Sequence, residues 1–162
     1  MVFVTLGTQD KPFERLLEAV DKQIKLGNIK DEVIVQSGST RYNSDKMKIY
    51  DYMTKEEFDK YIEEADIIIT HAGVGTIVEG LKKNKKVIAA ARKEQFGEHV
   101  NDHQEQILEN FSENKYILKL VNFDELDKVI KEADEFEIRE FETNQENFII
   151  KLDQKVKELL NI

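Results

Sequence analysis

The sequence predicts an α/β fold, a doubly wound parallel sheet with helices on both faces. Two observations carry this. Short β-branched runs alternate with longer stretches whose apolar residues recur at helical spacing. Several of the short runs are apolar throughout, as strands covered on both faces are.

The elements follow in order. Val2-Phe3-Val4-Thr5-Leu6 reads as a buried first strand, and Gly7-Thr8-Gln9-Asp10 as the loop at its C-terminal end. Pro12 suits a first helical turn, with Asp10 or Lys11 near the cap. Phe13, Leu16, Leu17, Val20 and Ile24 carry that helix to about Leu26, and Gly27-Asn28 stops it. Residues 33–36 form a second strand closed by Ser37-Gly38-Ser39, and residues 47–52 a third. Thr54 and Glu57 have capping-box spacing before a helix that carries Phe58, Tyr61, Ile62 and Ala65 on one face. Ile67 to Thr70 is the central strand, followed by His71-Ala72-Gly73-Val74-Gly75 and a helix opening at Thr76. Residues 87–90 form a fifth strand, residues 92–100 a polar loop, and residues 101–111 a helix with Ile107, Leu108 and Phe111 inward. A short strand at 116–118 precedes a helix opening at 124–126 with Leu126, Val129 and Ile130 on one face. The acidic stretch 132–142 reads as a hinge or a solvated loop. Residues 144–162 read as a last helix with Phe148, Leu152, Val156 and Leu159 on one face, either packing on its own domain or docking on a partner. The whole chain, 1–162, is expected to form one domain.

Composition narrows function. A net charge of −9 argues against a nucleic-acid footprint, which is usually basic. With no cysteine, thiol catalysis and thiolate metal sites are excluded. The start has no basic n-region, and no run of about 18 apolar residues exists, so the expected location is the cytoplasm.

Residues 66–80 are the centre of the functional reading. A strand, a glycine-bearing loop and a helix start in succession leave backbone N–H groups unpaired, with partial positive charge, suited to a phosphate or diphosphate. Gly73-x-Gly75-Thr76 is neither a Walker loop nor GxGxxG, and such a loop can also serve only close packing. Thr76 at the helix start favours the anion, and Glu79 one turn on could accept from two vicinal ribose hydroxyls. His71 would orient the loop or touch a phosphate. In Glu98-His99-Val100-Asn101-Asp102-His103-Gln104, two histidines four apart are a weak metal signal, because no third ligand is evident. Asn101, His103 and Gln104 fit sugar contacts better, with ordinary helix capping as the plain reading.

His71-Ala72-Gly73-x-Gly75-Thr76-x-x-Glu79, followed by Asn101-x-His103-Gln104, resembles the nucleotide-sugar-binding C-terminal half of the family 28 (GT-B) glycosyltransferases. The resemblance covers nearly the whole chain, including the start through Gly7-Thr8 and Tyr50-Asp51-Tyr52-Met53. Within the family the chain is similar to the small donor-binding subunits of two-part transferases. These include the eukaryotic UDP-GlcNAc:dolichyl-diphosphate-GlcNAc type and the bacterial PssE type of exopolysaccharide and capsule synthesis.

The resemblance implies a Rossmann-like fold, one half of a GT-B enzyme, using a UDP-sugar and no metal or other cofactor. Tyr52 and Met53 would contact uracil through backbone groups. Gly73, Gly75 and Thr76 would hold the diphosphate, Glu79 the ribose, and His103 and Gln104, beside Asn101, the donor sugar. Gly7 and Thr8 would lie near the phosphates on the acceptor side, and His71 is the candidate catalytic residue. The family's proline after the fifth strand is replaced by Ala89-Ala90-Ala91-Arg92, which leaves the following loop's path open. A membrane-anchored partner would supply the acceptor-binding half and recruit the chain to the cytoplasmic face of the membrane. The acceptor would be a polyprenyl-diphosphate-linked saccharide. The rival readings are a non-catalytic nucleotide-binding enhancer of a separate transferase and an unrelated phosphate-binding α/β domain.

Overall fold

The computed structural model describes residues 1–141 and 146–161, and the side chains of all of these except 146–148. Six parallel strands form one sheet in the order β3-β2-β1-β4-β5-β6. The strands are β1 (Val2–Thr5), β2 (Val33–Gln36), β3 (Lys48–Tyr50), β4 (Ile67–His71), β5 (Lys86–Ala90) and β6 (Leu118–Lys119). The helices are α1 (Glu14–Lys25), α2 (Lys55–Glu64), α3 (Val74–Lys82), α4 (His103–Glu113), α5 (Leu126–Glu135) and α6 (Glu146–Leu160).

Alternate strand residues feed two separate cores. Val2, Val4, Ile69 and Ile88 pack with α1 and α5 on one face. Phe3, Ile68, Val87 and Ala89 pack with α2, α3, α4 and α6 on the other. This double cover explains why β1 is apolar without alternation. The strand order changes direction between β1 and β4, whose residues pair from Val2↔Ile67 to Thr5↔Thr70. Beyond the carboxyl ends of those two strands the flanking loops separate and leave a crevice.

Several boundaries differ from the sequence reading. Pro12 lies before α1, not in its first turn. The Phe13 N–H donates to Thr40 Oγ1 at 2.9 Å, and the Lys11 carbonyl is taken by Arg92, so both hold this segment as loop. β3 is shorter than residues 47–52 because it is the exposed edge strand, and the chain turns away after Tyr50 to cap α2. The Thr54–Glu57 capping box forms as expected. Residues 132–135 of the proposed hinge belong to α5, where Ala133 is buried; residues 142–145 lie outside the described residues.

α6 packs on its own sheet face. Leu152 and Val156 are buried there, with Ile149 and Leu160 partly so. Leu159, placed on that face from the sequence, is exposed because the stripe 152-156-160 turns it to the flank. The Phe148 side chain lies outside the described residues.

Candidate functional site

A cleft of about 640 Å³ occupies the crevice. Of the residues named from sequence, Gly7, Thr8, Met53, His71, Gly73, Gly75, Thr76 and Glu79 line it. Thr5, Gln9, Gln36, Lys55 and Phe58 complete the wall and were missed. Thr5 and Gln36 had a signal: each is a polar residue closing an apolar strand. Gln36 Oε1 accepts from the Met53 N–H at 3.0 Å, so that N–H is already used inside the protein.

The α3 start is the most polar part of the wall. The helix begins at Val74, two residues before the expected Thr76, so Gly75 and Thr76 stand in its first turn. Gly73 is the N-cap and offers no side-chain cap. The Ile77 N–H is the one that closes the first turn, onto the Gly73 carbonyl at 3.2 Å. The preceding N–H groups of Val74, Gly75 and Thr76 have no intrahelical acceptor. The two glycines differ in purpose. A Cβ on Gly73 would run into the His71 ring, whereas one on Gly75 would meet nothing within 4 Å. Packing accounts for Gly73; the space over Gly75 belongs to the cleft.

His71 ends β4 and is buried. Its ring is held between Gly7 and Gly73, and a Cβ on Gly7 would lie 2.5 Å from Nε2. Gly7 also has φ +75°, a left-handed backbone that disfavours any side chain. Burial, with Arg92 and His99 adding positive charge nearby, pulls the His71 pKa down to about 4. The ring is therefore neutral at neutral pH. Behind it, Gln104 lies 3.1 Å from Nδ1.

Glu79 projects from the second turn of α3 and pairs with Lys55 at 2.5 Å. Lys55 also pairs with Asp59 at 2.6 Å, so a single cation links α2 and α3 across the cleft mouth. Its pKa is raised, first by the Asp59 bond and then by that of Glu79.

Four predicted residues do not line the cleft. Tyr52 is exposed, its hydroxyl 3.2 Å from Ser39 Oγ. Gln104 is buried behind His71 and not open to a sugar, because its amide is occupied on both ends. Asn101 lies just ahead of α4, whose N-cap is Asp102, and its Oδ1 accepts from the His103 N–H at 2.9 Å. His103 Nδ1 is buried with no hydrogen-bond partner among the described residues. α4 starts at His103, so His99 lies in the preceding loop and the two histidines do not share a helix face. Among the described residues, no three His, Cys, Asp or Glu side chains come together to hold a metal.

Arg92, at the end of the segment Ala89-Ala90-Ala91-Arg92, organises the loop after β5. It is almost fully buried and donates to the carbonyls of Leu6 (2.5 Å), Lys11 (2.7 Å) and Glu98 (3.2 Å). Burial lowers its pKa to about 10, partly offset by Glu98. The buried Glu98 carboxylate takes a two-pronged bond from Arg15 (2.5 and 2.8 Å) and the Lys93 N–H at 2.9 Å. The Gln9 amide meets His99 Nε2 at 2.9 Å. The loops after β1 and β5 are thus tied into one wall.

A family model described as the glycosyltransferase family 28 C-terminal domain matches residues 1–160. The chain belongs to this family. It is similar to the UDP-N-acetylglucosamine transferase subunit ALG13 of Debaryomyces hansenii. The two are 24% identical over 94 residues, 58% of this chain and 42% of that protein. The chain thus matches less than half the length of that relative. Among solved structures it is similar to the glycotransferase of kitacinnamycin, with a TM-score of 0.62 and 16% identity over 97% of this chain and 39% of that one. The solution structure of ALG13 superposes with a TM-score of 0.55 and 21% identity over 86% of this chain and 88% of that one. The fold is that of one half of a GT-B glycosyltransferase, as the family 28 assignment requires. Among the described residues no helix is long and apolar enough to cross a membrane.

Proposed function

We propose that the chain is the donor-binding subunit of a two-component glycosyltransferase that takes its sugar from a UDP-sugar. The observation that carries this is the cleft itself: the uncapped N-terminus of α3, open space over Gly75, and the Glu79 carboxylate one turn on. The free N–H groups at 74–76, the Thr76 hydroxyl and the His71 ring would receive the diphosphate. Glu79 would accept from the ribose hydroxyls, and Met53 and Phe58 would border the base. Similarity to a protein named as a UDP-N-acetylglucosamine transferase subunit supports the donor class.

In the reaction the bond between the anomeric carbon and the β-phosphate oxygen breaks, and an acceptor oxygen bonds to that carbon. Negative charge builds on the leaving UDP, where the α3 N-terminus stabilises it in place of a cation. The acceptor's proton goes to a base on a partner subunit, which is membrane-anchored and supplies the other GT-B half. Gly7 and Thr8, which line the cleft, would face it. The acceptor would be a polyprenyl-diphosphate-linked saccharide of exopolysaccharide or capsule synthesis, assembled at the cytoplasmic face of the membrane. Calorimetric titration with UDP tests the reading: saturable binding is expected, at least about tenfold weaker in Glu79→Ala, roughly 1.4 kcal/mol. No saturable binding, or binding indifferent to Glu79, would sink it. Reconstitution with the partner and a panel of UDP-sugars then identifies the donor.

A further inference from the structure

The Gln104 amide is shared between two groups. Its Oε1 accepts from the Arg92 backbone N–H at 3.0 Å, and its nitrogen lies 3.1 Å from His71 Nδ1. A backbone N–H can only donate, so the oxygen end must face Arg92 and the NH₂ end must face His71. An amide NH₂ has no lone pair to offer a ring N–H. Nδ1 must therefore be bare, and the single proton of the neutral imidazole is on Nε2. That atom is on the Gly7 side of the ring, which borders the cleft with Gly7 and Gly73. Arg92 stands two residues past the end of β5, so this chain of bonds is held close to the sheet.

We propose that Gln104 is a positioning residue that fixes His71 as the Nε2–H tautomer, so that the cleft receives a hydrogen-bond donor and not a proton acceptor. The proposal rests on the diphosphate reading of the cleft for its functional meaning, and on hydrogen bonding alone for the tautomer. A phosphate oxygen has lone pairs only and needs the donor form. The opposite tautomer would set a nitrogen lone pair against the anion. It also follows that His71 does not take the acceptor's proton, which leaves that role to the partner. Gln104 thus acts one layer behind the ligand.

The test is ¹⁵N–¹H long-range correlation spectroscopy of the histidine rings in the ligand-free protein. The chain has three histidines, so His99→Gln and His103→Gln assign the remaining signals to His71. The wild type should show protonated Nε2 and bare Nδ1. In Gln104→Glu the carboxylate can only accept, so Nδ1 should gain a proton. A wild-type His71 protonated at Nδ1, or an Nδ1 still bare in Gln104→Glu, overturns the relay. In Gln104→Leu the ring loses its constraint, and UDP affinity should fall about tenfold with the fold intact by circular dichroism. Unchanged affinity would remove the role toward the ligand. A wild type with the expected tautomer but no UDP binding upholds the relay and overturns the donor-site reading instead.

Discussion

The imidazole of His71 fills the volume that a side chain on Gly73 would need. This contact separates two glycines that look alike in the sequence. Gly73→Ala must displace a buried ring and should cost about 1–3 kcal/mol, the usual range for overpacking. Gly75→Ala meets no protein atom within 4 Å and lies in the first turn of α3, where alanine is the better helix former. It should leave the denaturation midpoint unchanged or raised, while the new methyl intrudes on the cleft and weakens UDP binding. Urea unfolding and calorimetry on both variants check this. A stable Gly75→Ala that binds UDP as well as wild type would remove the α3 start from the site.

Arg92 should be worth more to stability than any exposed ion pair. Its guanidinium serves three loop carbonyls, those of Leu6, Lys11 and Glu98, and stacks 5.1 Å from the Phe13 ring centroid. Arg92→Met keeps the apolar stem and strips all three donors, leaving buried acceptors unpaired. The expected loss is about 3 kcal/mol or more, read from the urea midpoint. A variant within about 1 kcal/mol of wild type would mean that water replaces the guanidinium without penalty.

Much of this arrangement was legible in the residues. The alternation of apolar runs and helical spacings placed five of the six strands and set the last, expected at 116–118, ahead of its true place at Leu118–Lys119, and the Thr54–Glu57 box forms where its spacing put it. The loop at 71–76 was found because glycine after an apolar strand and before a helix is a local signal. The role of Arg92 was hidden because its partners are carbonyls up to 86 residues away, and sequence does not show which carbonyls are left free. Lys55 was missed for a similar reason: it reads as an ordinary first-turn residue until α2 and α3 are set side by side. Gln104 was named, but its direction depended on the depth of His71 beneath the surface, which no spacing rule gives.

The depressed pKa of His71 predicts a pH dependence. Above its ordinary value of 6.5 the ring is neutral both folded and unfolded, and stability is unaffected. Between pH 6.5 and about 4 the unfolded chain takes up a proton that the native ring refuses, so stability falls as pH falls through that window. Below about 4 both states are protonated and this contribution levels off, after a total on the order of 3 kcal/mol. His71→Gln should lack the step. Asp21, Glu57 and Asp66, whose carboxyl pKa values are also lowered, add losses at more acid pH in both proteins. Urea midpoints from pH 4 to 8 give the comparison, and identical slopes for wild type and His71→Gln would contradict it.

The Lys55–Glu79 pair gives the sharpest test of the proposed ribose contact. Both side chains are substantially exposed, so breaking the pair should change stability by only about 0–1 kcal/mol. Its effect on binding is separate. A carboxylate has about four lone-pair sites, so Glu79 can keep Lys55 on one oxygen and accept from a diol on the other. On the proposed reading, Lys55 would orient Glu79 in advance and add a positive charge near the diphosphate. Lys55→Ala should weaken UDP about three- to tenfold, under roughly 1.4 kcal/mol, and flatten the salt dependence of binding. Glu79→Ala should erase any preference for UDP over 2′-deoxy-UDP, because no side-chain acceptor is left for the 2′-hydroxyl. Calorimetry with both nucleotides at two salt concentrations measures all three effects. Tighter UDP binding in Lys55→Ala would reverse the assignment: Lys55 would then be masking Glu79 from the ribose, and the pair would be a lock on the empty cleft.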